Sequence, residues 1–188
     1  MTQPEQPTIG TVVAQRDATI NPRTGEPARP WSIWAATALL YTGTALVFAG
    51  LGVAFWVGID IASFNSATWL HSVVPAEPGS LVRVALVTGE FVIAMLVGAG
   101  ALIAGYYGWW GYRWSRWAGL VAVAVALGAL VLNPLAYGGI AAIAVGAGLL
   151  WLPGSQAFLA RWHVRRNPAP PEPTIVDDVY YGPLPRYR

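Results

Sequence analysis

The chain has 188 residues, 55% of them hydrophobic and only 11% charged, with a formal net charge of +2. An average soluble domain carries about 25% charged residues, so composition argues against a soluble globule and for a membrane protein. There is no cysteine, which excludes disulfides, thiolate nucleophiles, iron–sulfur clusters and cysteine-ligated zinc.

The basic balance comes from eleven arginines against nine acids, with no lysine. A net charge this small is no argument for nucleic acid. The all-arginine, alanine-rich usage is what high-GC bacterial coding produces.

Residues 1–30 are polar, contain five prolines and show no sustained period, which predicts a disordered N-terminal tail. The first apolar run begins only after this tail. It is longer than the roughly 7–15-residue apolar region of a cleavable signal peptide, so it is expected to stay as an anchor. From Pro30 to Ile59 there is no charge. About 20 apolar residues suffice to cross the hydrocarbon core, which places a first span at 33–59, with Pro30 suited to a first helical turn.

Residues 60–80 hold Asp60, Asn65, His71 and Glu77 and read as a loop, with a short surface helix around 67–74. A second span follows at 81–107, interrupted by Arg83 and Glu90. The stretch GYYGWWGYRWSRWAG, residues 105–119, leads into a third span at 113–132. The Ala/Val alternation there could suit a strand, but an unpaired strand does not exist in lipid. Asn133-Pro134 and Gly138-Gly139 predict a tight turn. A fourth span is placed at 139–160, kinked at Pro153. Residues 161–188 form a second tail, rich in proline and bearing Tyr180, Tyr181 and Tyr187.

The predicted fold class is thus all-α: a polytopic membrane protein with a four-helix transmembrane domain over 31–160 and disordered tails over 1–30 and 161–188. Ten of the eleven arginines fall in the two tails and the 107–117 loop. The positive-inside rule then predicts both termini in the cytoplasm and a multi-pass protein of the plasma (inner) membrane.

Glu90 is the sharpest single feature. It lies nine residues into the second span, and a charge at the centre of a transmembrane helix costs about 2.5–3.5 kcal/mol on insertion scales. On a helical wheel Arg83, Ala94, Val97, Gly98, Ala101 and Gly105 share its face. These small residues predict a face turned into the bundle. Arg83 and Thr88 are its candidate partners within the span. Either Glu90 is satisfied structurally, or it is a proton or cation site.

Small-residue steps recur at Gly50, Ala54 and Gly58, at Ala45 and Ala49, at Ala118, Ala122 and Ala126, and at Ala142 and Gly146, and predict close helix packing or self-association. Asp60 reads as a carboxylate at the water boundary. His71 and His163 lie on opposite sides of the membrane and are expected at the surface, so no paired-histidine haem is expected. The aromatic stretch, with Tyr106, Tyr107, Trp109, Trp110, Tyr112, Arg113, Trp114, Arg116 and Trp117, has the composition of an interfacial belt. Gly105, Gly108 and Gly111 are expected to permit the bend within it.

No P-loop, GxSxG or HExxH pattern occurs. The expectation is therefore a protein without enzymatic activity and without a cofactor. It would serve as an accessory, assembly or scaffold subunit whose partners are the lipid bilayer and other membrane proteins or copies of itself, not nucleic acid. A small proton- or cation-coupled transporter using Glu90 is the alternative. The tyrosines of the second tail read as a candidate docking or phosphorylation segment.

Overall fold

In the computed structural model, residues 20–21 and 24–168 are described. Among these residues six α-helices follow one another: α1 (Trp31–Gly58), α2 (Trp69–Val73), α3 (Leu81–Trp109), α4 (Ser115–Ala126), α5 (Pro134–Leu149) and α6 (Pro153–Arg166). A 3₁₀ turn, Phe64–Ser66, precedes α2, and α4 winds on as 3₁₀ helix over Leu127–Val131. There is no β-strand among the described residues. The calls on 1–19, including Arg16, and on the tyrosines and acids of 169–188 lie outside the described residues.

Local chemistry sets the helix starts. Ser80 accepts a hydrogen bond from the backbone N–H of Arg83, and Asn133 from that of Ala136, ahead of Pro134. Both are side-chain N-caps of the ordinary kind. Pro30 stands at the N-cap of α1 in extended conformation, one place before the first turn expected for it.

α1 packs against α5 and α3, α3 against α4, and α4 against α5, closing a ring of four. Its core is apolar and small: Ile33, Ala36, Leu40 and Val47 of α1 meet Ala94, Val97, Ala101 and Ala104 of α3, Ala122 and Ala126 of α4, and Ile143 of α5, all fully buried. Glycines bring the backbones together. A Cβ on Gly98 would fall 2.6 Å from the Phe48 ring, and one on Gly105 would fall 2.7 Å from the Tyr41 ring. Ala45 and Ala49 are exposed instead, so that step does not pack within the bundle.

Two helices, α1 with 28 residues and α3 with 29, are long and apolar enough to cross a membrane. α5 and α6 count as a third only if taken together, and they meet at a bend of 62°. This corrects the predicted fourth span. The helix starts at Pro134, not at 139, and ends at Leu149. Gly138-Gly139 is not a turn but lies inside α5. Gly139 is where α5 crosses α1: a Cβ there would fall 2.7 Å from the carbonyl oxygen of Gly43, and one on Gly43 would fall 2.7 Å from that of Gly139. Pro153 does more than kink a span, since it opens a new helix, α6.

The N-terminal tail is also corrected at its end. Asn21 and Glu26 close a turn (Asn21 N–H to Glu26 O, 2.9 Å) around Gly25, whose φ is +64°. Pro27 is buried, and the guanidinium of Arg29 lies 4.7 Å from the centre of the Trp109 ring. Glycine is the residue that takes this left-handed turn without a steric cost, and the turn lets the piece fold back on itself.

The α4–α5 tip stops short of the end of α1. Asn133 Nδ2 donates to Gly50 O at 2.8 Å, and Gly50 lies eight residues, about 12 Å, before Gly58. The 60–80 segment folds into the room above the tip, where the N–H of Trp69 bonds Leu132 O at 2.9 Å.

Candidate functional site

Glu90 is 2% exposed, on the inward face of α3 with Ala94, Val97, Gly98, Ala101 and Gly105. Its partners come from the segment above the α4–α5 tip. Thr68 Oγ1 donates to Glu90 Oε1 at 2.7 Å, and His71 Nε2 stands 3.2 Å from the same oxygen. The second approach is close in distance but does not meet hydrogen-bond geometry. Thr68 also accepts from the N–H of His71 at 3.2 Å, as the N-cap of α2. One hydroxyl therefore starts the short helix and holds the carboxylate.

His71 is buried, at 1% exposed, which overturns its expected place at the surface. Its ring stacks on Phe64 with centres 4.2 Å apart, and Nδ1 lies 3.0 Å from Phe64 O. A carbonyl only accepts, so Nδ1 carries the proton.

Arg83 and Thr88 do not bind Glu90. Arg83 Nη2 donates to Gly58 O at 2.7 Å, and its guanidinium lies 4.1 Å from the centre of the Phe64 ring. It finishes α1 and covers the plug-like 64–73 segment. Thr88 is exposed on the outer side of α3, two residues from Glu90 and so nearly opposite on the helix. Arg83, His71 and Glu90 nonetheless line one cavity of about 200 Å³, walled by Leu51, Phe55 and Phe91. Ala54 and Gly58 also line it, and Gly50 meets Asn133 and Ala136 below.

The signal for Thr68 and His71 was present but weak. A threonine three residues before His71 is an N-cap pattern, and a buried glutamate needs a partner. Hydropathy alone put the segment in water, because it does not register that the α4–α5 tip ends low.

At the opposite end the rings of the aromatic stretch pack against one another and against tryptophans from elsewhere in the chain. α3 runs through Tyr106, Tyr107 and Trp109, and Trp110–Trp114 make the turn. Arg116 and Trp117 belong to α4. The Tyr107 ring centre is 4.6 Å from that of Trp114 and 5.1 Å from that of Tyr112. Trp34 meets Trp109 at 4.3 Å, and Trp117 meets Trp151 at 5.1 Å. Gly105 and Gly108 are helical. Of the three glycines expected to form the bend, Gly111 alone takes the left-handed conformation, with φ +73°. A Cβ on it would collide with the Trp162 ring.

α6 clamps this turn. Arg166 donates from Nη1 to Gly111 O at 3.2 Å and from Nη2 to Trp110 O. Trp34, Trp151, Trp162 and Arg166 were not predicted for this cluster, since they come from distant parts of the chain. His163 is exposed beside Asn167. Among the described residues no three His, Asp or Glu side chains gather as a metal would need. The Glu90 site fastens the 64–73 segment to α3 through Thr68 and His71. Compared with protein-family models, curated proteins and solved structures, the chain gives no match.

Proposed function

We infer that the chain is a non-enzymatic accessory or assembly subunit that spans the inner membrane four times and binds other membrane proteins. The observation that carries this reading is how Glu90 is used. Its carboxylate is taken up by Thr68 and His71, which fasten the 64–73 segment over the low α4–α5 tip. Below it the bundle axis is filled by fully buried Leu40, Val47, Val97 and Ala101. A rigid bundle with a sealed axis suits a scaffold.

Four spans follow if α4 with its 3₁₀ extension and α5 each cross. Their 17 and 16 residues reach about 24–28 Å, slightly under a core of about 30 Å, which a bilayer accommodates by local thinning. The arginines then put both termini in the cytoplasm. Exposed Val84, Val92, Met95 and Leu96 on α3 supply an apolar face for lipid or a partner helix. The test is affinity purification of the tagged full chain from native membranes, in mild detergent with crosslinking. A stoichiometric membrane partner is expected, and recovery of the lone polypeptide contradicts the reading.

The cavity beside Glu90, His71 and Arg83 favours one second reading, a small proton- or cation-coupled transporter. Flux in liposomes that is abolished by Glu90→Gln supports it. Absence of flux, or flux unchanged by that substitution, removes it.

A further inference from the structure

We propose that the cleft between the α3–α4 turn and the end of α6 binds the phosphate of an anionic lipid headgroup. The cleft measures about 570 Å³, and its lining includes Arg113, Arg116, Arg166 and His163 but no acid. At this end of the bundle Glu26 is the one acid among the described residues, and it is paired with Arg29 at 3.5 Å. Three guanidinium groups, from the turn, α4 and α6, thus line one cleft without a counter-charge.

Two of them are held in place by other means. Arg166 is fixed by the carbonyls of Trp110 and Gly111 and lies 4.0 Å from the centre of the Tyr112 ring and 4.6 Å from that of Trp162. Arg116 lies 5.0 Å from the centre of the Trp151 ring, and its Nε is buried with no hydrogen-bond partner. Carbonyls and ring faces orient a guanidinium but leave its charge unmatched. Phosphate oxygens match such forks.

The choice of lipid over free phosphate rests on position, and on the reading of this end as lying in the headgroup layer. Tryptophan and tyrosine favour that layer, and basic pockets between membrane helices take anionic headgroups. From the cleft, exposed Trp117, Leu120 and Val121 of α4 continue towards the middle of the bundle as an apolar track for an acyl chain.

The test is native mass spectrometry of the full chain in nonionic detergent, titrated separately with phosphatidylglycerol, phosphatidylcholine and inorganic phosphate. Phosphatidylglycerol is expected to stay bound at least tenfold more tightly than phosphatidylcholine. Affinity should fall on the order of fivefold for each arginine removed in Arg116→Gln and Arg166→Gln, and should be kept in Arg161→Gln, which removes the same charge outside the cleft. If the Arg166 variant does not fold, Arg113→Gln, at an exposed position, gives the same comparison. Equal retention of the two lipids, or equal loss in Arg161→Gln, overturns the site while leaving the membrane reading intact. Inorganic phosphate that binds as tightly as phosphatidylglycerol overturns the lipid source.

Discussion

Glu90 shows how one residue organises a whole end of the protein. Leaving a buried polar group unpaired costs about 1–3 kcal/mol, and Glu90→Ala strips both Thr68 and His71 of their partner, so it should unfold more readily than the parent in detergent, as followed by circular dichroism during denaturant titration. Glu90→Gln keeps an acceptor for Thr68 in nearly the same shape, and should cost less, about 1 kcal/mol. Gly111 gives a second prediction at this scale. Alanine there must accept a left-handed backbone, at about 1–2 kcal/mol, and a collision with Trp162, at about 1–3 kcal/mol more. Gly79 has φ +77° but open space around it, so Gly79→Ala should show the first cost alone in the same titration. The inward direction of Glu90 was legible in the sequence, because a helical wheel needs only the local period. Its partners were not legible, because Thr68 and His71 sit in a polar stretch whose depth is decided by the height of a distant turn.

At the scale of elements, the contact between α1 and α5 hangs on Gly43 and Gly139, which back onto each other's carbonyls. Leucine at either position should force the helices apart and cost more than about 2 kcal/mol. Leucine at Gly52, which has nothing within 4 Å, should leave stability nearly unchanged; thermal melting of the detergent-solubilised variants checks this. The sequence misled here for a physical reason. Two adjacent glycines after Asn133-Pro134 read as a turn in water, whereas glycine is tolerated in membrane helices for close approach. Pro153 was recognised as a break, but not its consequence: α6 turns away by 62° and lays Trp162 and Arg166 on the aromatic turn. The long helices α1 and α3 were the easiest to read, since a long, mainly apolar run leaves little choice in lipid.

For the whole molecule, the lack of cysteine makes single-cysteine labelling clean. In the four-span reading Ser66→Cys faces the outside and Asn167→Cys the cytoplasm; both positions are exposed. An impermeant maleimide added to intact cells should label the first at once and the second only after permeabilisation. Labelling of both from outside would break the topology. The same chemistry reaches the central claim, that Glu90 fastens the 64–73 segment onto the bundle. Ala67 lies in that segment at 8% exposure, beside Thr68. The decisive measurement is the rate at which the maleimide modifies Ala67→Cys in reconstituted protein, with Glu90 intact and with Glu90→Ala. The account predicts slow modification in the first and modification at least tenfold faster in the second, the change expected for about 1.4 kcal/mol of lost closure. Equal rates in the two proteins would contradict it.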